Sequence, residues 1–550
     1  MTMRRRLFWM VAILSSLLGC ANDDNATDIE EQVSIGAPDV SHSSDLDQSV
    51  NQTTFSVWIP RADENGNGIH YKGEHEEMLT WGAKNFTIDQ DGTFWIADTA
   101  GQQILHTDRK GEIIDVLDVS KDAVGAVMAA VNTNEIAVIS VASQPPKALR
   151  YSRSGELLTS YDLPMEWQGS VTGIEISENG LITVQRDQGY RLHTITPYND
   201  LDFDLTDESG YTWDLTRHSV YDGFLVRPVD QRNRVALRRF LTERDGITYI
   251  YAEEWRDDEY GQAVVDSTVR IFDGQAKQIA IARVNIRDRY TFVDLGGIQY
   301  DSQTGTVLAM MTKPDGLEIV PLKFVEKLDV LPDWGKLDED DTIFLNKTSP
   351  SVTCTISGST MINNIAVMAI NAYSSSSTDK WSVYTNDSSC TTRTIPHYML
   401  GEAFFGVPYS WGDCDNDSQF STYMKTASSS NGYKAGDANG DYASPTSCSR
   451  GVDCSGLVSI SWGRSCPSEK LNTTMIASST YTTIDSGSWD MGEVYVKSGS
   501  HVVIYYEVYS GSTYRWYEAT IDNSYDRALI TTHPASYYSG YTHRRYIKQC

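Results

Sequence analysis

The chain has 550 residues and a formal net charge of −29, with 74 acidic against 45 basic residues. This length exceeds one ordinary hydrophobic core and is enough for two or three domains. The acidic balance excludes nucleic acid as an expected partner, because binding a phosphate backbone takes clustered lysine and arginine. The 31 tyrosines and 13 tryptophans, with few long helical periodicities, predict β-rich domains.

The first nineteen residues predict an export signal rather than part of the fold. Three arginines at positions 4–6 precede an apolar stretch, residues 7–18, which is too short to span a bilayer as a mature helix. The stretch continues as Leu-Leu-Gly-Cys, which resembles a bacterial lipobox and implies removal of residues 1–19 and lipid attachment to Cys20. A plain secretory signal is the alternative.

Residues 20–50 predict a lipidated, disordered tether, because they are rich in Asp, Ser and Gln and poor in large apolar residues. By the lipobox resemblance, Ala21 is typical of outer-membrane lipoproteins. We therefore expect a lipid-anchored protein of the cell envelope, facing the periplasm or the exterior. Without residues 1–19 the chain keeps 42 basic and 74 acidic residues, a formal net charge of −32, which suits a soluble body held off an anionic envelope.

Residues 51–330 repeat a strand–turn–strand rhythm with a period of about 40–50 residues, as expected for four-stranded propeller blades. The clearest copy is FTIDQDGTFWIADTAGQQILHTDRKGEII at 86–114. The length of the region divided by this period gives about six blades, and this copy resembles the NHL-type blades of six-bladed propellers. We therefore expect an all-β propeller of six blades, and an envelope protein or glycan as its ligand. A pair of β-sandwiches is the alternative.

Within this region, the segment from Asp63 to Glu74 matches the calcium-loop template D-x-[DN]-x-[DN]-G-x5-E. His70 stands where a hydrophobic residue is usual, and no helices are predicted on either side. An ordinary polar turn is therefore the preferred interpretation over calcium, and we expect no metal or cofactor.

Residues 331–395 predict a connector with one helix. Met361, Ile365 and Met368 recur at helical spacing, so we expect this helix to pack on the C-terminal domain.

The eight cysteines predict three disulfides in an exported protein. Setting aside Cys20 for lipid and Cys454 for chemistry leaves six, which allow fifteen pairings. A bridge to Cys454, with another cysteine left as the thiol, is the alternative. The preferred pairs are Cys354–Cys390, Cys414–Cys448 and Cys466–Cys550.

Three residue types in one order predict a cysteine nucleophile with an oriented base. Cys454 precedes an apolar run and is placed to open a helix, whose unpaired N–H groups favour a thiolate. His501 leads the strand-like segment HVVIYYE, and Glu518 lies in the next such segment, RWYEATIDN. A hairpin with its turn at residues 510–511 places His501 opposite Thr520 and diagonal to Glu518, on one face of the sheet.

Residues 396–550 resemble the NlpC-type cell-wall peptidases. The resemblance rests on GEAFFGVPYSWGD, GVDCSGLV, GSHVVIYYE and YEAT, in that order. It implies an α+β papain-like fold and cleavage of peptidoglycan stem peptides, typically between D-glutamate and meso-diaminopimelate. It assigns the nucleophile to Cys454, the base to His501 and the third position to Glu518, with Asp522 or Asn523 as the alternative.

The same resemblance implies three further site residues. Tyr409 matches a tyrosine whose hydroxyl would join the backbone N–H of Cys454 in an oxyanion site; a buried aromatic is the alternative. Asp453 and Ser455 match positions that bind the free amino end of the stem peptide, with helix-start capping as the alternative.

Two features depart from the family pattern. Asp413 replaces the second glycine of the aromatic element, and a long insert, expected to form a rim of the cleft, separates Cys414 from Cys448. Three histidines of this region lack the catalytic context, and we expect them at the surface: His397, His533 and His543.

The expected function is a cysteine endopeptidase that hydrolyses an amide bond of peptidoglycan stem peptides. The alternative is a propeller-based binding or scaffold lipoprotein of the envelope, whose cysteine domain is inactive or is a differently specific amidase or acyltransferase.

Overall fold

The protein is described by a computed structural model, in which Thr53–Cys550 forms one compact unit. The expected signal peptide (residues 1–19), Cys20 and the tether (residues 20–50) lie outside the described residues. The described residues are 56–74, 80–123, 126–141, 143, 145–164, 167, 169–186, 191–195, 201–202, 226–334, 355–370, 372–374, 403–426, 433–438, 448–484, 489–510, 513–521 and 526–550.

The N-terminal part of this unit, residues 57–321, is built from short antiparallel strands, and we call it the blade region. A typical connection is the turn before Phe94, where Gly92 adopts a φ of 86° and donates its N–H to the carbonyl of Asp89 at 2.9 Å. The strands are β1 (Val57–Pro60), β2 (Asn85–Ile88), β3 (Phe94–Asp98), β4 (Gln103–Thr107), β5 (Ile113–Asp118), β6 (Ala126–Val131), β7 (Glu135–Ser140), β8 (Lys147–Ser152), β9 (Leu157–Asp162), β10 (Val171–Ile176), β11 (Ile182–Arg186), β12 (Arg191–Ile195), β13 (Leu201–Asp202), β14 (Arg234–Arg244), β15 (Ile247–Asp257), β16 (Ala263–Phe272), β17 (Gln278–Val284), β18 (Ile298–Asp301), β19 (Thr306–Lys313) and β20 (Gly316–Pro321).

These strands form four-stranded antiparallel sheets, as the repeat predicted. Four sheets are consecutive along the chain: β2–β5, β6–β9, β10–β13 and β14–β17. A further sheet has the order β1-β20-β19-β18, so the first strand of the region closes onto its last three, with Ile59 opposite Leu317. The described part of the chain thus contains five such sheets; residues 203–225, between β13 and β14, lie outside it.

The C-terminal part adds a larger sheet and a few helices. Its strands β25-β30-β26-β27-β28-β29 form a six-stranded antiparallel sheet in that order. Within the described ranges, no helix has the length and apolar character that crossing a bilayer requires. The elements are α1 (Gly358–Ile370), β21 (Ala372–Ser374), β22 (Ala403–Phe405), α2 (Asp417–Thr426), β23 (Lys434–Ala435), β24 (Ser449–Arg450), α3 (Cys454–Ser461), α4 (Thr473–Ile476), β25 (Thr482–Ile484), β26 (Val494–Lys497), β27 (His501–Ser510), β28 (Thr513–Thr520), β29 (Arg527–His533), a 3-10 helix (Ala535–Tyr538) and β30 (Thr542–Tyr546).

Helix α1 is the helix predicted in the connector, and it packs on the C-terminal part as expected. Met361 and Ile365 are buried in one apolar cluster with Leu457 of α3. Two hydrogen bonds tie the helices together: the Ser461 hydroxyl donates to the carbonyl of Met361 at 3.1 Å, and the Asn364 amide donates to the carbonyl of Ser461 at 3.0 Å.

The six-stranded sheet is buried on both faces. Val502 and Ile504 of β27 share a core with helices α1 and α3. The alternating residues Val503 and Tyr505 point to the opposite face and share a core with the blade region, including Trp255. Full burial of side chains of this size stabilises a fold by about 1.5–3 kcal/mol each, so the sheet is held from both sides.

The boundary between the sheet and the blade region also carries main-chain hydrogen bonds. The N–H of Ala263 donates to the carbonyl of Tyr541 and the N–H of His543 to that of Gly261, both at 2.8 Å. Trp255 lies 5.3 Å from Tyr514 between ring centroids, in an edge-on arrangement. These contacts pack the sheet directly against the blade region.

The cysteine pairing differs from the one predicted. Cys414 is bonded to Cys466, with 5.5 Å between their Cα atoms, so the expected Cys414–Cys448 and Cys466–Cys550 pairs are wrong. Cys448 and Cys550 are in disulfides as well, whereas the expected Cys354–Cys390 pair lies outside the described residues. Three-dimensional proximity decides the pairing: the bridge fastens the start of the insert to the loop after α3, not to the end of the insert.

The predicted surface position is also wrong for two of the three histidines. His543 is buried, with Nε2 at 2.8 Å from Glu493 and Nδ1 at 3.5 Å from Asp257 of the blade region. His533 is largely buried and contacts Glu518. His397 lies outside the described residues.

The segment from Asp63 to Glu74 forms the polar turn that was preferred over a calcium loop. One carboxylate oxygen of Asp63 accepts hydrogen bonds from the N–H groups of Asn65 and Asn67, at 2.8 and 3.0 Å. Glu74 turns away to pair with Arg61 at 2.6 Å.

We predict a loss of stability at alkaline pH that depends on His543. Burial lowers its pKa, but the carboxylates of Asp257 and Glu493 outweigh burial and raise it to about 9. Because this lies above the unfolded value of about 6.5, the stabilisation is complete below pH 6.5 and is lost as the pH rises through about 9. Wild type should lose about 3 kcal/mol of unfolding free energy between pH 7 and 10 that a His543→Gln variant does not lose, as measured by urea unfolding. Equal slopes for the two proteins would contradict the prediction.

Candidate functional site

Cys454 opens helix α3, as predicted. Asp453 is the N-cap: one of its carboxylate oxygens accepts from the N–H of Gly456 at 2.6 Å and from the Ser455 hydroxyl at 3.1 Å. The Cys454 side chain is buried, and among the cysteines that the structure describes it is the one that remains a thiol. A thiol in the first turn lies where the helix N–H groups favour its anion.

The remaining oxygen of Asp453 is occupied as well. It accepts from the N–H of Gly412 at 2.9 Å and forms an ion pair with the ammonium of Lys470. The capping alternative therefore describes the contacts of Asp453 and Ser455. A substrate ammonium would have to displace Lys470 to reach this carboxylate.

Two further carboxylates flank the helix start, Asp413 and Asp415. Burial, helped by the charge of Asp415, raises the pKa of Asp413 to about 8, although the Ser410 hydroxyl donates to it at 2.5 Å. Burial also raises the pKa of Asp415 to about 6. At neutral pH Asp413 is therefore mostly protonated, and Lys470 compensates Asp453, so less negative charge opposes a thiolate at Cys454 than three carboxylates would suggest.

His501 and Glu518 lie on neighbouring strands in the expected register. The pair Ile504–Tyr517 in β27 and β28 continues to place His501 opposite Thr520, with Glu518 on the diagonal. Nε2 of His501 lies 2.7 Å from Oε1 of Glu518. Both side chains are buried, at 3% and 0% exposure.

Glu518 accepts four hydrogen bonds, although it has no contact with solvent. Oε1 accepts from the His501 ring and from the Tyr537 hydroxyl at 2.8 Å. Oε2 accepts from the Thr531 hydroxyl at 2.9 Å and from Nε2 of His533 at 2.8 Å. A carboxylate with this many donors is held in one orientation and is stabilised as an anion.

The electrostatics of Glu518 agree with this geometry. Burial by itself raises its pKa, but the positive charge of His533 and the hydrogen bonds from His501 and His533 outweigh burial. The pKa of Glu518 therefore lies well below its usual range.

Tyr541 packs near the imidazole of His501. Its ring lies edge-on to His501, 6.5 Å away between centroids. Burial, together with the charges of Glu518 and Cys454, raises the pKa of Tyr541 well above its usual value. Helix α3 packs on β27 and β28, the two strands that carry His501 and Glu518.

Tyr409 is buried in the same core as Cys454. Its backbone forms a bridge with Val452, two residues before the thiol, so the residue supports the loop that leads into α3. The alternative third residues, Asp522 and Asn523, lie outside the described residues.

Sequence reasoning missed the other side chains around Glu518. Thr531 and His533 are two residues apart on β29 and so point to one face of the sheet. This alternation along the strand could have predicted that the two side chains share a face. The sequence between β28 and β29 does not reveal which residues of β29 lie beside Glu518. Within the described ranges, no group of three or more His, Cys, Asp or Glu side chains is arranged to hold a metal ion.

No protein family model matches the chain, and no curated protein matches it. Similar solved structures include a streptogramin B lyase, 14% identical over 46% of this chain and 98% of that one, with a TM-score of 0.27. A gluconolactonase from Xanthomonas campestris is 12% identical over 49% and 97%, with a TM-score of 0.26. The virginiamycin B lyase from Staphylococcus aureus is 12% identical over 44% and 80%, with a TM-score of 0.23. At these values none of them transfers an activity to this chain.

We predict that Glu518→Gln lowers the unfolding free energy by about 3–5 kcal/mol at pH 7, because an amide replaces a buried anion among four donors. The folded-state pKa of Glu518 lies below the unfolded value of about 4.3, so its stabilisation is complete above that pH and is lost as the pH falls through the folded pKa. The difference in unfolding free energy between wild type and variant, measured by urea unfolding, should therefore become smaller below pH 4. Thr531→Val, which removes one donor, is the milder control at about 2 kcal/mol; a difference that widens in acid would refute the account.

Proposed function

We propose that this chain is a cysteine endopeptidase that hydrolyses an amide bond of peptidoglycan stem peptides, of the D-glutamyl–diaminopimelate type. Cys454 is the nucleophile, His501 the base and Glu518 the residue that orients the base. The observation that carries the proposal is the buried hydrogen bond of 2.7 Å between His501 and Glu518. It is supported by the buried thiol of Cys454 in the first turn of α3, a helix that packs on the two strands carrying the pair.

The chemistry follows from these three groups. His501 takes the proton of Cys454, and the sulfur attacks the amide carbonyl carbon to form a tetrahedral oxyanion. The C–N bond then breaks as His501 returns the proton to the leaving amine, which leaves a thioester on Cys454. A water molecule, deprotonated by His501, attacks the thioester; the acid is released and the thiol is restored.

Glu518 acts on the imidazole rather than on the substrate. As an anion it fixes the ring by accepting from Nε2, and it stabilises the imidazolium that forms when Cys454 gives up its proton. The oxyanion would be met by the backbone N–H of Cys454, with the Tyr409 hydroxyl as the second donor.

The substrate assignment is supported by the four ordered motifs of residues 396–550. A lipid on Cys20 would hold the enzyme at the envelope, where its substrate lies. We further propose that the blade region is a six-bladed β-propeller that binds an envelope protein or glycan, supported by its four-stranded sheets and the pairing of β1 with β20. The activity belongs to the C-terminal part.

A second candidate function is favoured by the burial of the site. The thiol is 2% exposed, so a peptide reaches it only if the site opens. If it stays closed, the chain is an envelope-binding or scaffold lipoprotein in which the cysteine part is inactive or acts on a different amide.

We predict that Cys454→Ala abolishes cleavage of purified muropeptides, because no other group of the site can form the thioester. Wild type should release two fragments whose masses sum to that of the substrate plus one water, detected by mass spectrometry. Ser461→Ala, at the other end of the same helix, should keep the activity. Unchanged fragment release by Cys454→Ala would refute the nucleophile, and no release by wild type would favour the second candidate.

A further inference from the structure

We infer that the blade region helps to position the catalytic groups of the C-terminal part, because Glu253 holds in place the helix whose side chains bind Glu518. The inference rests on the proposed function, in which Glu518 orients His501. It assigns a positioning residue to a strand of the blade region, more than 200 residues before the triad in the chain.

Glu253 lies on β15 and has no exposed surface. One of its oxygens accepts the N–H of Ser536 at 3.0 Å, and the other accepts the Tyr251 hydroxyl at 2.5 Å. A buried carboxylate is costly unless donors satisfy both oxygens. Both are satisfied here, and one of the donors comes from the C-terminal part.

The Ser536 N–H belongs to the first turn of the 3-10 helix Ala535–Tyr538. The cap residue of this helix is Pro534, which makes no side-chain hydrogen bond to it. N–H groups at a helix start have no partner inside the helix. Glu253 supplies the acceptor for one of them and so fixes this helix against the blade region.

The anchored helix carries Tyr537, which touches two members of the site. Its hydroxyl donates to Oε1 of Glu518 at 2.8 Å. Its ring stacks on His533, with 3.8 Å between centroids and 6° between planes. His533 is itself a donor to the other oxygen of Glu518, so the helix sets the position of two of the four donors.

Phe292, a second residue of the blade region, packs against Tyr537 and His533. The ring of Phe292 meets Tyr537 edge-on, 4.9 Å between centroids, and lies 6.3 Å from His533. Tyr537 is thus held by Glu253 through its own helix and by Phe292 against its ring. If this support is removed, the two donors are free to move and the orientation of His501 loosens with Glu518.

The test is the pH dependence of Cys454 alkylation by iodoacetamide in the full-length protein, followed by mass spectrometry. Glu253→Leu should slow alkylation at pH 7 about tenfold and shift the profile to higher pH, since small displacements of catalytic groups have large kinetic effects. Glu253→Gln should stay within twofold of wild type, because its amide oxygen still accepts the Ser536 N–H.

Asp257→Leu is the matched control. Asp257 is a carboxylate on the same strand that also contacts the C-terminal part, through the Tyr495 hydroxyl at 2.5 Å and the His543 ring at 3.5 Å. Neither of these partners belongs to the 3-10 helix. It should alkylate within twofold of wild type. If Glu253→Leu fails to fold, Glu253→Asp takes its place, since it keeps the charge and withdraws the acceptor by one methylene.

The outcomes separate the two proposals. If His501→Ala leaves the alkylation rate and its pH profile unchanged, the proposed catalytic unit fails. If His501→Ala slows alkylation but folded Glu253 variants match wild type, only the role of Glu253 fails. Equal slowing by Asp257→Leu would likewise overturn it, because the effect would then be a general loosening of the boundary.

Discussion

The carboxylate of Glu518 is the constraint on which the C-terminal architecture depends. A buried anion is tolerated only when hydrogen bonds replace its lost hydration, and an unsatisfied one costs several kcal/mol. Its four donors come from β27, β29 and the 3-10 helix. The charge therefore fixes three elements relative to β28. The same arrangement that makes this burial tolerable also sets the orientation of the His501 imidazole, on which the proposed chemistry depends.

The six-stranded sheet separates two cores. His501 and Glu518 share the face of Val503 and Trp516, which packs on the blade region, while α3 packs on the other face. Cys454 stands at the first turn of α3, and His501 is the first residue of β27. The blade region therefore packs directly on the sheet face that carries His501 and Glu518.

The sequence patterns correctly predicted the elements that depend on residues close together in the chain. The apolar run after Cys454 gave the helix, and alternation gave the two strands. The turn was predicted one residue early, since Ser510 pairs with Thr513, and two bulges in β27 restore the expected register at His501. The disulfide of Cys414, the burial of His543 and the donors to Glu518 depend on contacts between distant segments. Spacing along the chain carries no signal for those contacts.

The most direct test of the central claim is the protonation of the two imidazoles that share Glu518, observed by nitrogen-15 NMR of histidine-labelled protein. The account predicts that His501 and His533 both carry a proton on Nε2 at neutral pH. Both protons should be strongly deshielded by the carboxylate, and both signals should move towards ordinary values in Glu518→Gln. A His501 protonated on Nδ1 alone, with a signal that Glu518→Gln leaves in place, would contradict it.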